Sequence, residues 1–248
     1  MSRKFKFQRQ HFQSNVDGFN DEACNRSESE YRILSVNGRS NIDWDSMPAY
    51  RGSHFVRDPR CLVVSGYHYH LWTEESWCKN VPFNWEGMVH HPYFKKYVEP
   101  DETKFPKLQT YQQYLNSLDK ERGMVVEMLW RRTQFAHMKS WNYNNPNIME
   151  LKYEDIIGNE VEVFRQLFEH YGFSDQLVKA GLKHCDSLSL KNSKKSKTSH
   201  TRSGSSKQWL KEFSAEHRGV FNGLYPELPV QLAYEQDDSW VHASGSGS

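Results

Sequence analysis

The sequence lacks the motifs that would directly identify a membrane protein, a P-loop kinase, a zinc protein or a disulfide-rich protein. No run of 18 apolar residues occurs, so the sequence predicts no membrane-spanning helix. No GxxxxGKS or GxxxxGKT loop is present, which argues against an ordinary P-loop kinase. The few cysteines form neither a CxxC pair nor a His/Cys spacing typical of zinc, and predict no disulfide framework: Cys24, Cys61, Cys78 and Cys185.

An excess of charge of one sign is also missing. Lys and Arg total 32 against 31 for Asp and Glu, so the net charge is only +1. No global field therefore favours nucleic acid or a membrane as partner, and any anion site must be local. The start, MSRKFKFQRQHFQ, has no apolar core of a signal peptide, which together with the scattered cysteines indicates a cytoplasmic protein.

What is present fits one soluble α/β domain. The chain has 248 residues, of which 37% are hydrophobic, 25% charged and 14% aromatic, enough for a sizeable core. We expect a poorly ordered segment over 1–30, one domain over 31–240 and a flexible tail over 241–248, which ends in the linker-like ASGSGS.

Apolar patterns predict strands that alternate with helices, which favours a sheet with parallel members. Strands are expected at 32–36, 53–56 and 147–153. Helices are expected from Pro59 onward after an Asp58 N-cap, over 110–141 in a short and a long piece, over 159–173, and after residue 208. Long loops are expected at 78–100 and at 186–208.

The stretch HFVRDPRCLVVSGYHYH (54–70) is the first candidate site. A strand ending at Arg57 and a helix beginning at Pro59 allow Arg57 and Ser65 to reach one anion near the helix N-terminus. Arg offers a planar fork for phosphate oxygens, and Ser adds a hydroxyl donor. The alternative is a salt bridge from Arg57 to Asp58 or elsewhere, with Ser65 bonded to a helical carbonyl.

The stretch HTRSGSSKQW (200–209) is the second candidate. Arg202, Ser203 and Gly204 provide a guanidinium, a hydroxyl and a flexible backbone N–H in consecutive positions, a combination that can fold over a phosphate. The alternative is a solvated, mobile loop, which the Lys- and Ser-rich composition of 186–208 also indicates.

Three separated segments resemble, in the same order, the sulfotransferases that use 3′-phosphoadenosine-5′-phosphosulfate (PAPS). FVRDPRCLVVSGYHYH resembles their strand–loop–helix for the 3′-phosphate, an Arg-x-Pro start with a Ser eight residues after the Arg. MELKYEDI resembles their Tyr-Glu-Asp strand end, and KTSHTRSGSSKQWLKEFS their late loop followed by Trp and Phe-Ser. The resemblance implies a three-layer α/β fold with a central, mostly parallel sheet flanked by helices.

The same resemblance implies a binding site for PAPS and for its product PAP, with no metal. The implied roles are 3′-phosphate binding for Arg57 and Ser65, adenine contact for Tyr153, and closure over the same phosphate for Arg202, Ser203 and Gly204.

The resemblance is incomplete toward the amino end. The family's 5′-phosphosulfate loop, a Lys-Ser-Gly-Thr-Thr-like turn, is not in the sequence, and VNGRSN (36–41) lies too near Arg57 to replace it. The usual catalytic His upstream of Arg57 is missing too, and His68 and His70 are interpreted as structural. Two explanations stay open: a chain shortened at the N-terminus, or a divergent, inactive member that binds the nucleotide differently.

Two functions follow. The first is a sulfotransferase that moves a sulfuryl group from PAPS to a hydroxyl or amine of a small molecule or glycan. The second is a degenerate member that binds PAP or PAPS and acts as an interaction module. The aromatic residues of 72–97 either line the acceptor pocket or form a small core of their own. We expect no nucleic-acid or membrane partner, and the dimerisation motif of some members is not intact at 209–219.

Overall fold

The computed structural model describes residues 8–12, 32–36, 42–47, 49–101, 109–188 and 207–242. The strands are β1 (Gln8–Phe12), β2 (Arg32–Val36), β3 (Gly52–Val56) and β4 (Ile148–Lys152). The helices between β3 and β4 are α1 (Pro59–His70), α2 (Ser76–Lys79), α3 (Glu86–Val89), α4 (Pro92–Tyr97), α5 (Tyr111–Ser117), α6 (Lys120–Trp130) and α7 (Arg132–Ser140). Those after β4 are α8 (Tyr153–Ile156), α9 (Glu160–His170), α10 (Asp175–Leu188), α11 (Trp209–Glu212), α12 (Ala215–Leu224) and α13 (Leu228–Gln231), and then a 3-10 turn at Asp238–Val241.

The strands pair in parallel, and the predicted α/β class is confirmed. Within the described ranges they form two two-stranded sheets, β1 with β2 and β3 with β4. The β3–β4 pair has helical material on both faces, as a layered α/β fold requires. Val56 joins the main core on one face, whereas Leu151 packs with Val163 and Leu167 of α9 on the other.

The helix α1 begins where the sequence predicts it. The Asp58 side chain accepts a hydrogen bond from the backbone N–H of Arg60 at 2.9 Å, and Pro59 occupies the first helical position. The inward face of α1 is apolar, with Cys61, Val63 and Val64 fully buried. This burial fixes α1 on the core, so that the residues before it and along its other face have defined positions.

The predicted long loop at 78–100 is wrong. The segment contains α2, α3 and α4, and its aromatic side chains belong to the main core, with Trp85 and Phe94 buried there. These helices have four to six residues, too short for a helical period to show in the sequence. The interpretation of the aromatic residues as core material therefore applies to Trp85 and Phe94, whereas Trp72 and Trp77 are the exposed ones.

Several other boundaries differ from the prediction. The long helix of 110–141 is divided at Arg131, whose ψ of 4° separates α6 from α7. The strand predicted to end at Tyr153 ends at Lys152, because Tyr153 begins the single turn α8. The helix α10 was not predicted, and its last residues occupy the beginning of the expected loop at 186–208. The strand β1 was not predicted either, and the rest of the expected disordered segment 1–30 lies outside the described residues, as does the tail from 243.

A buried carboxylate joins three of the helices. Glu127 of α6 is fully buried, and its Oε2 lies 2.9 Å from Nδ1 of His70 in α1 and accepts a hydrogen bond from the Tyr111 hydroxyl at 2.8 Å. Its Oε1 accepts a hydrogen bond from Nε of Arg131 at 2.8 Å. Burial opposes ionisation, but Arg131, His70 and Tyr111 outweigh it and hold the pKa of the Glu127 carboxyl below its usual range.

Replacement of Gly66 by Ala tests the close packing of α1 on this network. An added Cβ would overlap Oε1 of Glu127 and the guanidinium of Arg131, so that the buried ion pair must shift. We expect Gly66→Ala to lower the free energy of unfolding by about 1–3 kcal/mol in a denaturant titration, the cost of overpacking.

Gly219 of α12 is the matched control, because an added Cβ there meets no atom within 4 Å. Gly219→Ala should raise stability by about 0.5–1 kcal/mol, since Ala is the better helix former. Equal stability of the two variants would contradict the proposed packing.

The lowered pKa of Glu127 predicts a pH dependence. A carboxyl with a lower pKa in the folded state adds stability above its unfolded pKa of about 4.3, and this stability disappears as the pH falls through the folded value. The difference in unfolding free energy between wild type and Glu127→Gln should therefore shrink from pH 7 to pH 3. A difference that stays constant or grows on acidification would show that the carboxylate is not stabilised as the contacts indicate.

Candidate functional site

The candidate site lies at the carboxyl ends of the β3–β4 pair. Val56 and Lys152 are the last paired positions, so Arg57 and Tyr153 are the first residues beyond the two strands, side by side. The guanidinium carbon of Arg57 lies 4.4 Å from the ring centre of Tyr153. The carboxyl ends of parallel strands are where open α/β sheets bind their ligands.

The Arg57 guanidinium has no acceptor in the described part of the chain. Its Nε is buried and makes no hydrogen bond, and its guanidinium lies over the ring of Tyr153. Buried polar groups are nearly always hydrogen-bonded, and an unsatisfied charged donor is costly. The arrangement suits an anion that approaches the free edge of the guanidinium.

The expected alternative, a salt bridge between Arg57 and Asp58, is not formed. Asp58 instead bonds Arg60, with Oδ1 accepting from Nε at 3.0 Å and Oδ2 accepting from Nη2 at 2.7 Å. Arg60 is fully buried, lies 2.6 Å from a Glu235 carboxylate oxygen, and stacks on Trp209 at 3.7 Å. It therefore neutralises Asp58 and leaves the charge of Arg57 available.

Sequence reasoning missed Arg60, although the residue stands in the quoted motif. Its only signal is its place two residues after the N-cap, where a side chain can turn back onto the capping carboxylate. The aromatic partners of Arg60, Trp209 and Trp240, lie more than 140 residues away along the chain, so the sequence alone does not bring them together.

Ser65 lies half-buried on α1 and makes no hydrogen bond within the described residues. It falls between Cys61 and His68 on one stripe of the helix, because positions four and three residues apart share a face. The alternative, a bond from Ser65 back to a helical carbonyl, is not formed among the described residues, so its hydroxyl is available to a ligand.

The same stripe of α1 contacts α11 and the residue that precedes it. The Cys61 thiol lies beside the backbone of Gln208 and Trp209, and burial, followed by the charge of Asp58, raises its pKa to about 11. At the other end of the stripe, Nε2 of His68 lies 3.5 Å from Oε1 of Glu212. The residues that follow the Lys- and Ser-rich segment thus pack beside Ser65.

The structure brings Arg57 and Tyr153 together and places Ser65 on the neighbouring helix. The predicted residues Arg202, Ser203 and Gly204 lie outside the described residues.

Two histidines near the site have structural partners. His70 is buried in the Glu127 network, and Nδ1 of His54 lies 2.7 Å from Oε2 of Glu150 on the neighbouring strand.

An open depression of about 480 Å³ lies at the amino ends of the same strands. Trp44, Tyr50 and several asparagines line it, and the charged side chain in its wall is Asp45. A carboxylate does not favour a phosphate, so the carboxyl ends of the strands are the better anion site. In the described ranges, no group of three or more His, Cys, Asp or Glu residues is placed to hold a metal ion. None of the helices described here has the length and apolar character needed to span a bilayer.

The comparisons with known proteins identify the class. The family model for the sulfotransferase domain matches residues 54–233, most of the chain, and the chain therefore belongs to this family. The predicted resemblance is confirmed. No curated protein matches the chain.

Among solved structures, one that is similar is the mouse sulfotransferase SULT7A1 in complex with PAP, at 14% identity and a TM-score of 0.41. The similarity covers 88% of this chain and 75% of that one. A TM-score at this level does not establish a common fold, so the family assignment depends on the sequence match.

The buried ion pairs of Arg60 predict that its replacement by Ala lowers the free energy of unfolding far more than the same replacement of an exposed arginine. Removal of one partner of a buried ion pair leaves an uncompensated charge, so Arg60→Ala should lower the free energy of unfolding by about 3–5 kcal/mol. Arg122, whose Nε lies 2.9 Å from Asp119 in an exposed pair, is the control, and Arg122→Ala should cost less than about 1 kcal/mol. Similar losses for the two variants in denaturant titrations would refute the structural role of Arg60.

Proposed function

We propose that the chain binds PAPS and transfers its sulfuryl group to a hydroxyl or amine of a small molecule or glycan. Membership of the sulfotransferase domain family supports the reaction class. The observation that carries the nucleotide assignment is the position of Arg57 at the ends of two parallel strands, with a buried Nε that has no acceptor among the described residues.

Arg57 and Ser65 are the proposed ligands of the 3′-phosphate. The guanidinium presents a fork of donors that matches phosphate oxygens, and the unbonded hydroxyl of Ser65 adds a further donor. Arg57 lies just before α1 and Ser65 lies within its first two turns, and the N-terminal potential of this helix also favours an anion. Tyr153, already in contact with Arg57, is the proposed neighbour of the adenine.

Arg202, Ser203 and Gly204 are the proposed cover of the same phosphate. Gly204 stands four residues before Gln208, whose backbone lies beside Cys61 on the Ser65 stripe. This short separation along the sequence supports the proposal.

The residues of this chain would act mainly by holding the nucleotide. Sulfuryl transfer resembles phosphoryl transfer, in which in-line positioning and positive charge supply most of the catalysis. Arg57, Ser65 and Tyr153 fix the 3′ end and the base, and so orient the distant sulfuryl group toward an acceptor. We assign no catalytic base.

The second candidate function is a protein that binds PAP or PAPS without transfer. The observation that favours it is the lack of a Lys-Ser-Gly-Thr-Thr-like turn in the 248 residues, since that turn holds the 5′ end in the family to which the resemblance points. The two functions share the 3′-phosphate site and differ in turnover.

Calorimetric titration with PAP and with 5′-AMP tests the site. Because AMP lacks the 3′-phosphate, Arg57→Ala should weaken PAP binding by about 1.5–3 kcal/mol, and AMP binding much less. Ser65→Ala should weaken PAP binding by about 0.5–1.5 kcal/mol. Arg51→Ala is the control. Arg51 lies at the amino end of β3, away from the candidate site, and its guanidinium donates a hydrogen bond to the His170 carbonyl.

Unchanged PAP affinity in Arg57→Ala would refute the assignment. Release of PAP from PAPS, measured with phenol, alcohol, amine and saccharide acceptors, then separates the two functions. Acceptor-dependent release supports the transferase, and binding without release supports the binding protein.

A further inference from the structure

Glu154 connects the candidate anion site to the carboxyl-terminal part of the chain. It is the second residue of α8, directly after Tyr153. Its Oε1 accepts a hydrogen bond from the backbone N–H of Asp58 at 3.2 Å, and its Oε2 accepts one from the Tyr234 hydroxyl at 2.8 Å. The Glu154 carboxylate thus holds both the backbone N–H of the residue after Arg57 and the hydroxyl of Tyr234, which is distant in sequence.

The segment that carries Tyr234 is itself held in place. Ala233 has a φ of 54°, a left-handed conformation that an alanine rarely adopts, and the Tyr234 N–H donates to the carbonyl of Pro229 at 2.8 Å. Nζ of Lys152 donates to the carbonyl of Ala233 at 3.0 Å and lies 4.6 Å from the Tyr234 ring centre. These contacts attach the segment to the last residue of β4, beside the site.

Glu235, the next residue after Tyr234, supports the other side of the turn that connects β3 and α1 at Arg57 and Asp58. A Glu235 carboxylate oxygen lies 2.6 Å from Nη1 of Arg60, which in turn binds Asp58. Consecutive residues of the carboxyl-terminal segment therefore hold the turn between β3 and α1 from both sides, Tyr234 through Glu154 and Glu235 through Arg60.

We propose that Glu154 and Tyr234 are positioning residues for the 3′-phosphate. They fix the backbone between Arg57 and Asp58, so that the Arg57 guanidinium faces the ligand instead of turning with a mobile loop. Neither residue is proposed to touch the nucleotide. This inference rests on the proposed function, since it explains how the same site is kept ready for its ligand.

The chemistry of the bridge is suited to this role. Burial, followed by the charge of Glu154, raises the pKa of Tyr234 far above its usual range, so its hydroxyl stays a donor at any working pH. The two donors occupy both oxygens of Glu154, which lessens its repulsion of a nearby anion. Preorganisation of this kind improves affinity because the cost of ordering the loop is met before binding.

The test is the ratio of PAP to AMP affinity, which isolates the contribution of the 3′-phosphate. Glu154→Ala should reduce this ratio at least fivefold, and Tyr234→Phe about threefold. Glu154→Gln should keep the ratio within twofold of wild type, because its carbonyl oxygen accepts from Asp58 and its amide faces the Tyr234 oxygen. Tyr143→Phe is the control, since that hydroxyl bonds the Met138 carbonyl away from the turn, and its ratio should not change.

A loss of PAP and AMP affinity in equal proportion in Glu154→Ala would overturn the inference, because it would indicate a general structural defect. Failure of Glu154→Gln to restore the ratio would overturn it as well.

Amide hydrogen exchange in the nucleotide-free protein gives a readout that does not depend on the proposed function. Exchange at Asp58 should be at least tenfold faster in Glu154→Ala than in wild type and in Tyr143→Phe. An unchanged rate would show that the bridge does not fix the turn, whatever the nucleotide. If the wild type binds PAP no better than AMP, the proposed function fails, and the exchange rate alone decides on the bridge.

Discussion

The pairing of Asp58 with Arg60, rather than with its neighbour Arg57, is the interaction on which the candidate site depends. Two carboxylates, Asp58 and Glu235, and the faces of two tryptophans surround the Arg60 guanidinium in a fully buried position. Such a position is favourable only when the charge is fully paired. Because Arg60 takes both oxygens of Asp58, no carboxylate of the described residues forms a salt bridge with Arg57, in a chain whose net charge is close to zero.

The helix α1 is held at both of its ends, and this gives the site a rigid base. At its beginning, Asp58 and Arg60 attach it to residues of the carboxyl-terminal part of the chain. At its end, His70 binds the buried carboxylate of Glu127, which also holds α5 and α6. Ser65 lies between these two anchors. Binding groups on a packed helix keep their geometry better than groups on a loop, so the position of Ser65 is well defined.

The sequence was most informative where local chemistry decides the structure. Asp58 and Pro59 predicted the start of α1. The resemblance to the sulfotransferases assigned Arg57 and Tyr153 to one nucleotide site; the two residues are neighbours at the strand ends, and their binding role stays a prediction. The sequence was least informative where the local structure or the role of a residue depends on contacts with residues far away along the chain. The short helices of 78–100 form because Trp85 and Phe94 pack into a core that the local pattern does not reveal. The role of Arg60 depends on Trp209 and Trp240, and Glu154 stood in the quoted Tyr-Glu-Asp segment without an assigned partner.

The stacking of Arg60 on Trp209 and Trp240 also has a consequence for the order of folding. These contacts span about three fifths and nearly three quarters of the chain, and pairings between such distant positions form late because the loop between them must close first. During synthesis, Arg57 and Ser65 leave the ribosome long before Trp240, so the early chain carries these two proposed ligands of the anion without the residues that hold α1 in place. The proposed anion site can therefore reach its final geometry only after Trp240 has been synthesised and has packed on Arg60.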